Sequence, residues 1–516
     1  MNAPHTVGRW LVDSAARSPE RIAIDDRGLT VDYRSLADRA VSLAARLRDG
    51  GYGPGDRIAT VSASSADHVV LFFGCALAGI AFVPLSWRLT AEELSRLLSS
   101  SRPAIVAADD EHATLVAEAM QIANGDDQAP PVAMLGSAGI EARVPASGRT
   151  DTARAVRDDD ALLIVYTSGS EAEPKGAILT HEGCFWNNLA LAGALPLDED
   201  DVVLAMLPQF HVAAWNVQPL LAWWRGATVV LESTFQPSRV LRLIAERGVT
   251  CTMGVPTQYR LLADDPGWDA ADVSSLRLAV VGGATAAPDL LAAWADRGVT
   301  LTAGYGLTEA GPNVLCLAAA EASRHPGAVG RPYPHVEVRL VDPESGLTLD
   351  GPATGELQVH GPSVFAGYLG DPGATARALD HGWLRTGDLA ARDASGVYRV
   401  VDRLKDIYIS GGENVAPAEV ERALEQHPLV EAAAVVGVPD PVWGERGVAF
   451  VQPRAGSLVS DDELLAHARH HLAGFKVPVR IVLVDELPRT GSQKVRRTLL
   501  RDRAARAAKE ASDERR

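Results

Sequence analysis

The segment YTSGSEAEPKGAILTH, residues 166–181, decides how the rest of the chain reads. It continues the uncharged run ALLIVY (161–166), whose apolar side chains suit a buried strand. The strand gives way to Thr, Ser and Gly, then to Pro174-Lys175-Gly176. Small hydroxyls and unobstructed backbone N–H groups can surround a polyphosphate, and a lysine adds charge. Thr167, Ser168, Gly169, Ser170 and Lys175 are therefore candidate phosphate contacts. The spacing is not that of a Walker A loop, because Pro174 precedes the lysine and Gly176 follows it. An ordinary flexible surface loop has the same composition, so the surroundings must decide.

Outward from this loop, short Val/Ile/Leu runs recur at DRIATVSA (56–63), AIVAAD (104–109), ATVVLES (227–233) and LRLAVVGG (276–283). Between them lie Ala/Leu/Arg stretches with helical spacing, such as SLADRAVSLAARLRDGG (35–51). This alternation predicts an α/β fold with largely buried sheets. Residues 330–400 differ: VEVRLVD, GELQVHG and GVYRVVD alternate and are split by Gly, Pro and Asp. They predict a small antiparallel or barrel-like unit. After Asp402 the pattern resets to helix, strand, helix and strand, a compact α+β domain. The tail RRTLLRDRAARAAKEASDERR reads as a solvated, fraying helix.

Four further motifs follow the loop in order. GYGLTEAG (304–311) sets Tyr305, Thr308 and Glu309 among glycines; WLRTGDLA (383–390) carries Asp388. DRLKDIYISGGENVAPAEVE (402–421) joins charges to a Gly-Gly turn, and LPRTGSQKVRR (487–497) presents Lys494. Together, from about residue 10 to about residue 500, these resemble the adenylate-forming superfamily, which includes acyl- and aryl-CoA synthetases. FVPLSWRLTAEEL, LPQFHVAAW and DRLKDIYISGGENV look most like its fatty-acyl-CoA synthetase-type members.

The resemblance implies a large N-terminal portion, 1–402, of two α/β subdomains plus a small β-barrel, followed by a small mobile α+β C-terminal domain, 403–516. It implies that a fatty or aromatic carboxylic acid is activated with ATP and Mg²⁺ to an acyl-adenylate, then passed to CoA. Transfer to a carrier protein, an amine or nitrite is the alternative. In this reading Thr167–Lys175 wraps the phosphates, Glu309 holds Mg²⁺ and Thr308 contacts the α-phosphate. Tyr305, between Gly304 and Gly306, stacks on adenine, with Gly282, Gly283 and Ala284 lining the base pocket. Asp388 accepts from the ribose hydroxyls with support from Arg403. Lys494 serves adenylation, Lys405 is the hinge, and Gly411 and Gly412 reach the CoA tunnel. His211 borders the acyl site, although beside aromatics it also fits a packed core; Trp186, Trp215, Leu307 and Asn313 are further acyl-pocket candidates.

The chain departs from the family pattern at two places. Its loop reads SGSEAEPKG, which sets Glu171 where a phosphate is expected, and Gln493 replaces the glycine before the lysine. Phe210-His211 lacks the aspartate that would pair an α-amine, and a buried unpaired ammonium is costly, so amino-acid substrates are disfavoured.

Composition narrows the partners. The net charge of −17 over 516 residues argues against nucleic acid and anionic membrane surfaces. Cys75, Cys184, Cys251 and Cys316 lie far apart and read as buried free thiols. The N-terminal residues lack a signal-peptide core, which with free thiols points to the cytoplasm. The uncharged run Val69–Leu85 is too short to span a membrane and reads as a buried helix entering a buried strand. VVGGATA after a strand lacks the G-x-G-x-x-G spacing of a dinucleotide site. His467, His470 and His471 share a helix face with no cysteine or acidic partner evident, and read as a solvated face.

Overall fold

The computed structural model describes residues 5–124, 129–149, 154–167, 174–284, 286–404, 406–410, 413–440, 443–472, 474–490 and 494–513. The chain divides into two compact units, one of residues 1–339, 358–386 and 396–398, the other of 340–357, 387–395 and 399–516. Four sheets form among the described residues, and helices alternate with the strands as the α/β reading expects.

A seven-stranded sheet of the first unit has a parallel centre, running from Val132–Met134 through Ile105–Ala108, Arg57–Val61 and Ala81–Leu85 to Ala161–Thr167. Helices such as Ala66–Ala78 and Ala91–Ser101 connect these strands, so interior strands are apolar at nearly every position. The run Val69–Leu85 divides as expected into the helix Ala66–Ala78 and the strand Ala81–Leu85. Gly79, at φ +79°, ends that helix in a conformation that a Cβ would penalise. At the sheet's other side the direction reverses. Ala161–Thr167 and Lys175–Thr180 form an antiparallel pair with Thr167 opposite Lys175, and Gly367–Tyr368 adds an edge strand.

The nine-stranded sheet of the same unit is parallel from Ile22–Asp26 through Thr228–Leu231, Val202–Ala205, Cys251–Gly254 and Leu278–Val281 to Leu301–Tyr305. Ligands of open α/β sheets bind beyond the carboxyl ends of such strands. Three predicted segments lie at those ends: 207–215, 282–284 and 305–309, the last beginning on the final residue of its strand. Their separation along the sequence is thus consistent with one side of one sheet.

The third sheet pairs short strands, Thr348–Leu349, Glu337–Val341, Ala353–His360, Trp383–Arg392 and Leu379–Asp380, with Tyr398–Arg403 on Trp383–Arg392. These are the strands expected of the barrel-like unit. The fourth, in the second unit, builds on the long antiparallel pair Val430–Asp440 and Gly444–Pro453, with Arg480–Leu483 parallel to the latter. Helices Pro417–Glu425 and Asp461–His471 fall where the sequence places them.

Two expectations need correction. The tail is the helix Arg497–Asp513, but it is not simply solvated: Leu500 and Ala504, one turn apart, pack with Val436, Val448 and Phe450. Apolar burial of that stripe outweighs the charge of its other faces. The four cysteines are free, yet Cys316 is only part-buried; burial raises the Cys184 and Cys251 thiols to about 12.

Candidate active site

The turn Thr308–Ala310 presents Glu309 beside the end of the hairpin. Glu309 Oε1 accepts from the hydroxyl of Tyr368 at 2.9 Å and lies 3.5 Å from Thr167 Oγ1. Lys175 Nζ sits 5.5 Å from the centroid of the Tyr368 ring. Thr167, Lys175, Glu309 and Tyr368 are therefore brought together from segments far apart in sequence. The backbone holds them: Phe365 N–H donates to Glu309 O at 2.9 Å, and Ala366 N–H to Ile178 O. Ser168, Gly169, Ser170 and Glu171 lie outside the described residues.

The loop bearing Glu309 is closed at its base, where Val314 N–H donates to Tyr305 O at 3.1 Å. Gly306 packs so tightly on Pro312 that a Cβ there would fall 1.4 Å from the proline carbonyl oxygen. At Gly282 a Cβ would sit tightly, 3.2 Å from Gly304 O and from Met253 Cε, and Gly283 has φ +79°. Glycine is thus required where Tyr305 and Glu309 are set, and it leaves bare backbone where a base can approach. Tyr305, Leu307, Thr308 and Glu309 are all half-buried.

His211 follows the strand Val202–Ala205, is half-buried, and lies 4.5 Å from the Phe210 ring. Trp215 is fully buried, stacks on Phe72 at 4.4 Å and donates to Gln209 O. His68 bonds Gln209 Oε1 and Thr60 Oγ1; burial lowers its pKa to about 4, so it stays neutral at physiological pH. Trp186 is half-buried against His335, while Asn313 is buried and hydrogen-bonded to Asn216 O.

In the second unit, Asp388 is buried on the strand Trp383–Arg392, and Arg403 Nε lies 2.6 Å from its Oδ1. Leu404 N–H donates to Gly387 O, which brings the two motifs side by side. Asp402 accepts from Ala418 N–H and Arg403 N–H, and burial raises its pKa. Lys494 is exposed; its N–H donates to Thr490 Oγ1 and its carbonyl accepts from Thr490 N–H. Lys405, Gly411, Gly412 and Gln493 lie outside the described residues.

Sequence reasoning missed several supporting residues. Tyr368 stands in GYLG, where a Gly-Tyr pair after an apolar run was the only signal. Arg497 pairs with Glu421 and approaches Asp406, which Arg501 also engages, so the lysine-bearing segment is tied to residues flanking position 405. The histidine helix is less solvated than expected: His467 bonds Ala423 O at 2.9 Å and meets His427 edge-on. No group of three or more His, Cys, Asp and Glu suited to a metal occurs among the described residues. No helix among them is long and apolar enough to cross a membrane.

The AMP-binding enzyme family matches residues 11–369, and the AMP-binding enzyme C-terminal domain matches 419–494. A feruloyl-CoA synthase of an Amycolatopsis species is 42% identical over 95% of this chain and 97% of its own. An indoleacetate–CoA ligase of Aromatoleum aromaticum is 35% identical over 97% of this chain and 98% of its own. The ATP-bound MatB of Rhodopseudomonas palustris superposes with a TM-score of 0.87 at 30% identity, covering 97% of this chain and 99% of that one. The chain belongs to the AMP-binding enzyme family, as one of its AMP-forming acid–CoA ligases.

Proposed function

We propose that the protein activates an aromatic carboxylic acid with ATP and transfers the acyl group to CoA. The convergence of Thr167, Lys175, Tyr368 and Glu309 is the observation that carries this reading. The aromatic substrate is supported by the relatives that act on feruloyl and indoleacetyl groups. A carboxylate is anionic and has no leaving group; joining it to the α-phosphate, with pyrophosphate released, gives it one. The chain must offset phosphate charge and hold the reactants in line.

Glu309 is suited to Mg²⁺, because a half-buried carboxylate among hydroxyls offers the hard oxygens that this ion prefers. Mg²⁺ would neutralise phosphate charge. Lys175 meets the outer phosphates at the mouth of the hairpin, and Thr308 the α-phosphate. Tyr305 and the backbone of Gly282, Gly283, Ala284, Gly304 and Gly306 hold the base. Asp388, oriented by Arg403, accepts from the ribose. His211, Trp186, Trp215, Leu307 and Asn313 shape the acyl side. Lys494 approaches the reacting carboxylate for adenylation; a swing at Lys405, dividing 1–402 from 403–516, then brings Gly411 and Gly412 to the CoA thiol. The reaction belongs in the cytoplasm, where both cosubstrates are supplied.

Pyrophosphate release should be screened across aromatic, short-chain and long-chain acids. Release confined to aliphatic acids would refute the aromatic reading; AMP formed no faster with CoA than without it, but faster with a carrier protein, an amine or nitrite, would favour that acceptor.

A further inference from the structure

Four asparagines, Asn187, Asn188, Asn216 and Asn313, are buried together in the first unit. Buried amides cost stability unless paired, so their pairing shows what they hold. Asn216 is the hub. Its carbonyl accepts from Asn187 Nδ2 at 2.8 Å and from Asn313 Nδ2 at 3.0 Å. Its Oδ1 accepts from Asn188 Nδ2 at 3.2 Å, and its Nδ2 donates to Gly311 O at 2.8 Å. Asn187 Oδ1 completes the set by accepting from Asn313 N–H at 3.1 Å.

Asn216 ends the short helix Ala213–Asn216, which begins two residues after His211. Gly311 lies two residues after Glu309 and Asn313 four, on the other side of the same loop. That loop is shut at Tyr305–Val314 and held on one side by Phe365 N–H on Glu309 O; the amides add its tie to the segment that follows His211. None of the four amides is needed to fold a helix or strand, and apolar residues of the same volume would pack there at less cost.

We infer that Asn216 is a positioning residue that sets the Glu309 loop in register with the His211 segment, so that the phosphate side and the acyl side of the reaction are presented together. This rests on the proposed reading of the site. Asn188 supplies a control, because it bonds Asn216 Oδ1 and Cys184 O but nothing in the loop.

The test compares the full-length wild type with Asn216→Ala, Asn216→Asp and Asn188→Ala. Hydrogen exchange of the 305–314 peptide reads the clamp without any activity. One lost hydrogen bond should speed exchange there about tenfold in Asn216→Ala and leave Asn188→Ala near wild type. In ATP–pyrophosphate exchange, Asn216→Ala should lose about 30-fold in rate and need about fivefold more Mg²⁺ at half-saturation, with Asn188→Ala within threefold. Asn216→Asp can donate to Gly311 O only when protonated, so its rate relative to wild type should rise from about pH 8 to about pH 6. Unchanged exchange in the 305–314 peptide, or equal losses in Asn216→Ala and Asn188→Ala, would overturn the inference. A wild type that activates no acid would instead refute the functional reading, while the exchange result still decides whether the clamp exists.

Discussion

A single methyl group at Gly306 should separate the geometry of the Glu309 loop from its chemistry. In Gly306→Ala the new Cβ would lie 1.4 Å from Pro312 O and 2.5 Å from its carbonyl carbon. Ordinary Cβ atoms keep 3.0 Å or more, so the proline carbonyl must retreat by about 1.6 Å (3.0 less 1.4). The obstacle is backbone, so no rotamer change relieves it. Overpacking of this kind costs about 1–3 kcal/mol, and a 1 Å misplacement of a reacting constellation can cost about 100-fold in rate. Gly304→Ala is the comparison: its Cβ would meet Val280 Cγ1 at 3.5 Å, an ordinary contact. Thermal unfolding and ATP–pyrophosphate exchange should be measured for both. Gly306→Ala should melt lower and lose about two orders of magnitude in exchange at temperatures where it remains folded. Gly304→Ala should melt with the wild type, so any loss of exchange reports on the nucleotide. A Gly306→Ala enzyme with wild-type exchange would refute the claim that this loop's shape sets Glu309.

Other predictions test other links. His68 and His181 are both held neutral by burial, with pKa values of about 4, whereas unfolded histidines take a proton near 6.5. Stability should therefore be full above about pH 7 and fall toward pH 4 by about 1.4 kcal/mol per pH unit for each histidine. His181→Gln, which keeps an acceptor for Val7 N–H, should remove one such increment from the slope of urea unfolding against pH; an unaltered slope would contradict it. Lys494→Ala should lose adenylation yet still form thioester from a supplied acyl-adenylate, and equal loss of both half-reactions would show that the lysine serves no single step. Arg497→Met leaves the half-buried Glu421 without its cation, while Asp406 keeps Arg501, and should destabilise the second unit by about 2 kcal/mol in denaturant titration, more than Arg497→Lys.

Much of the frame was legible because it depends on local pattern. Continuous apolar runs marked the interior parallel strands, and the motif residues follow strand ends or turns whose glycines are visible in sequence. What escaped depends on distant pairing. Tyr368 reaches Glu309 across 59 residues from an edge strand of two residues, which has no periodicity to read. Arg497 finds Glu421 across 76 residues. The asparagines of HEGCFWNNLALAGA resemble the polar face of any helix, and only the approach of the Gly311 loop turns them into a clamp. In the tail, high charge masked the Leu500–Ala504 stripe, because a two-residue apolar contact is a weak signal beside so many ions.

The central claim is that the carboxylate itself attacks the α-phosphate. An aromatic acid labelled with ¹⁸O in both carboxyl oxygens, turned over with ATP, Mg²⁺ and CoA, tests this most directly by mass spectrometry of the products. Adenylation transfers one carboxyl oxygen to the nucleotide, so AMP should carry one ¹⁸O and the acyl-CoA should retain the other. Label in inorganic phosphate with ADP as the nucleotide product, or unlabelled AMP, would contradict it.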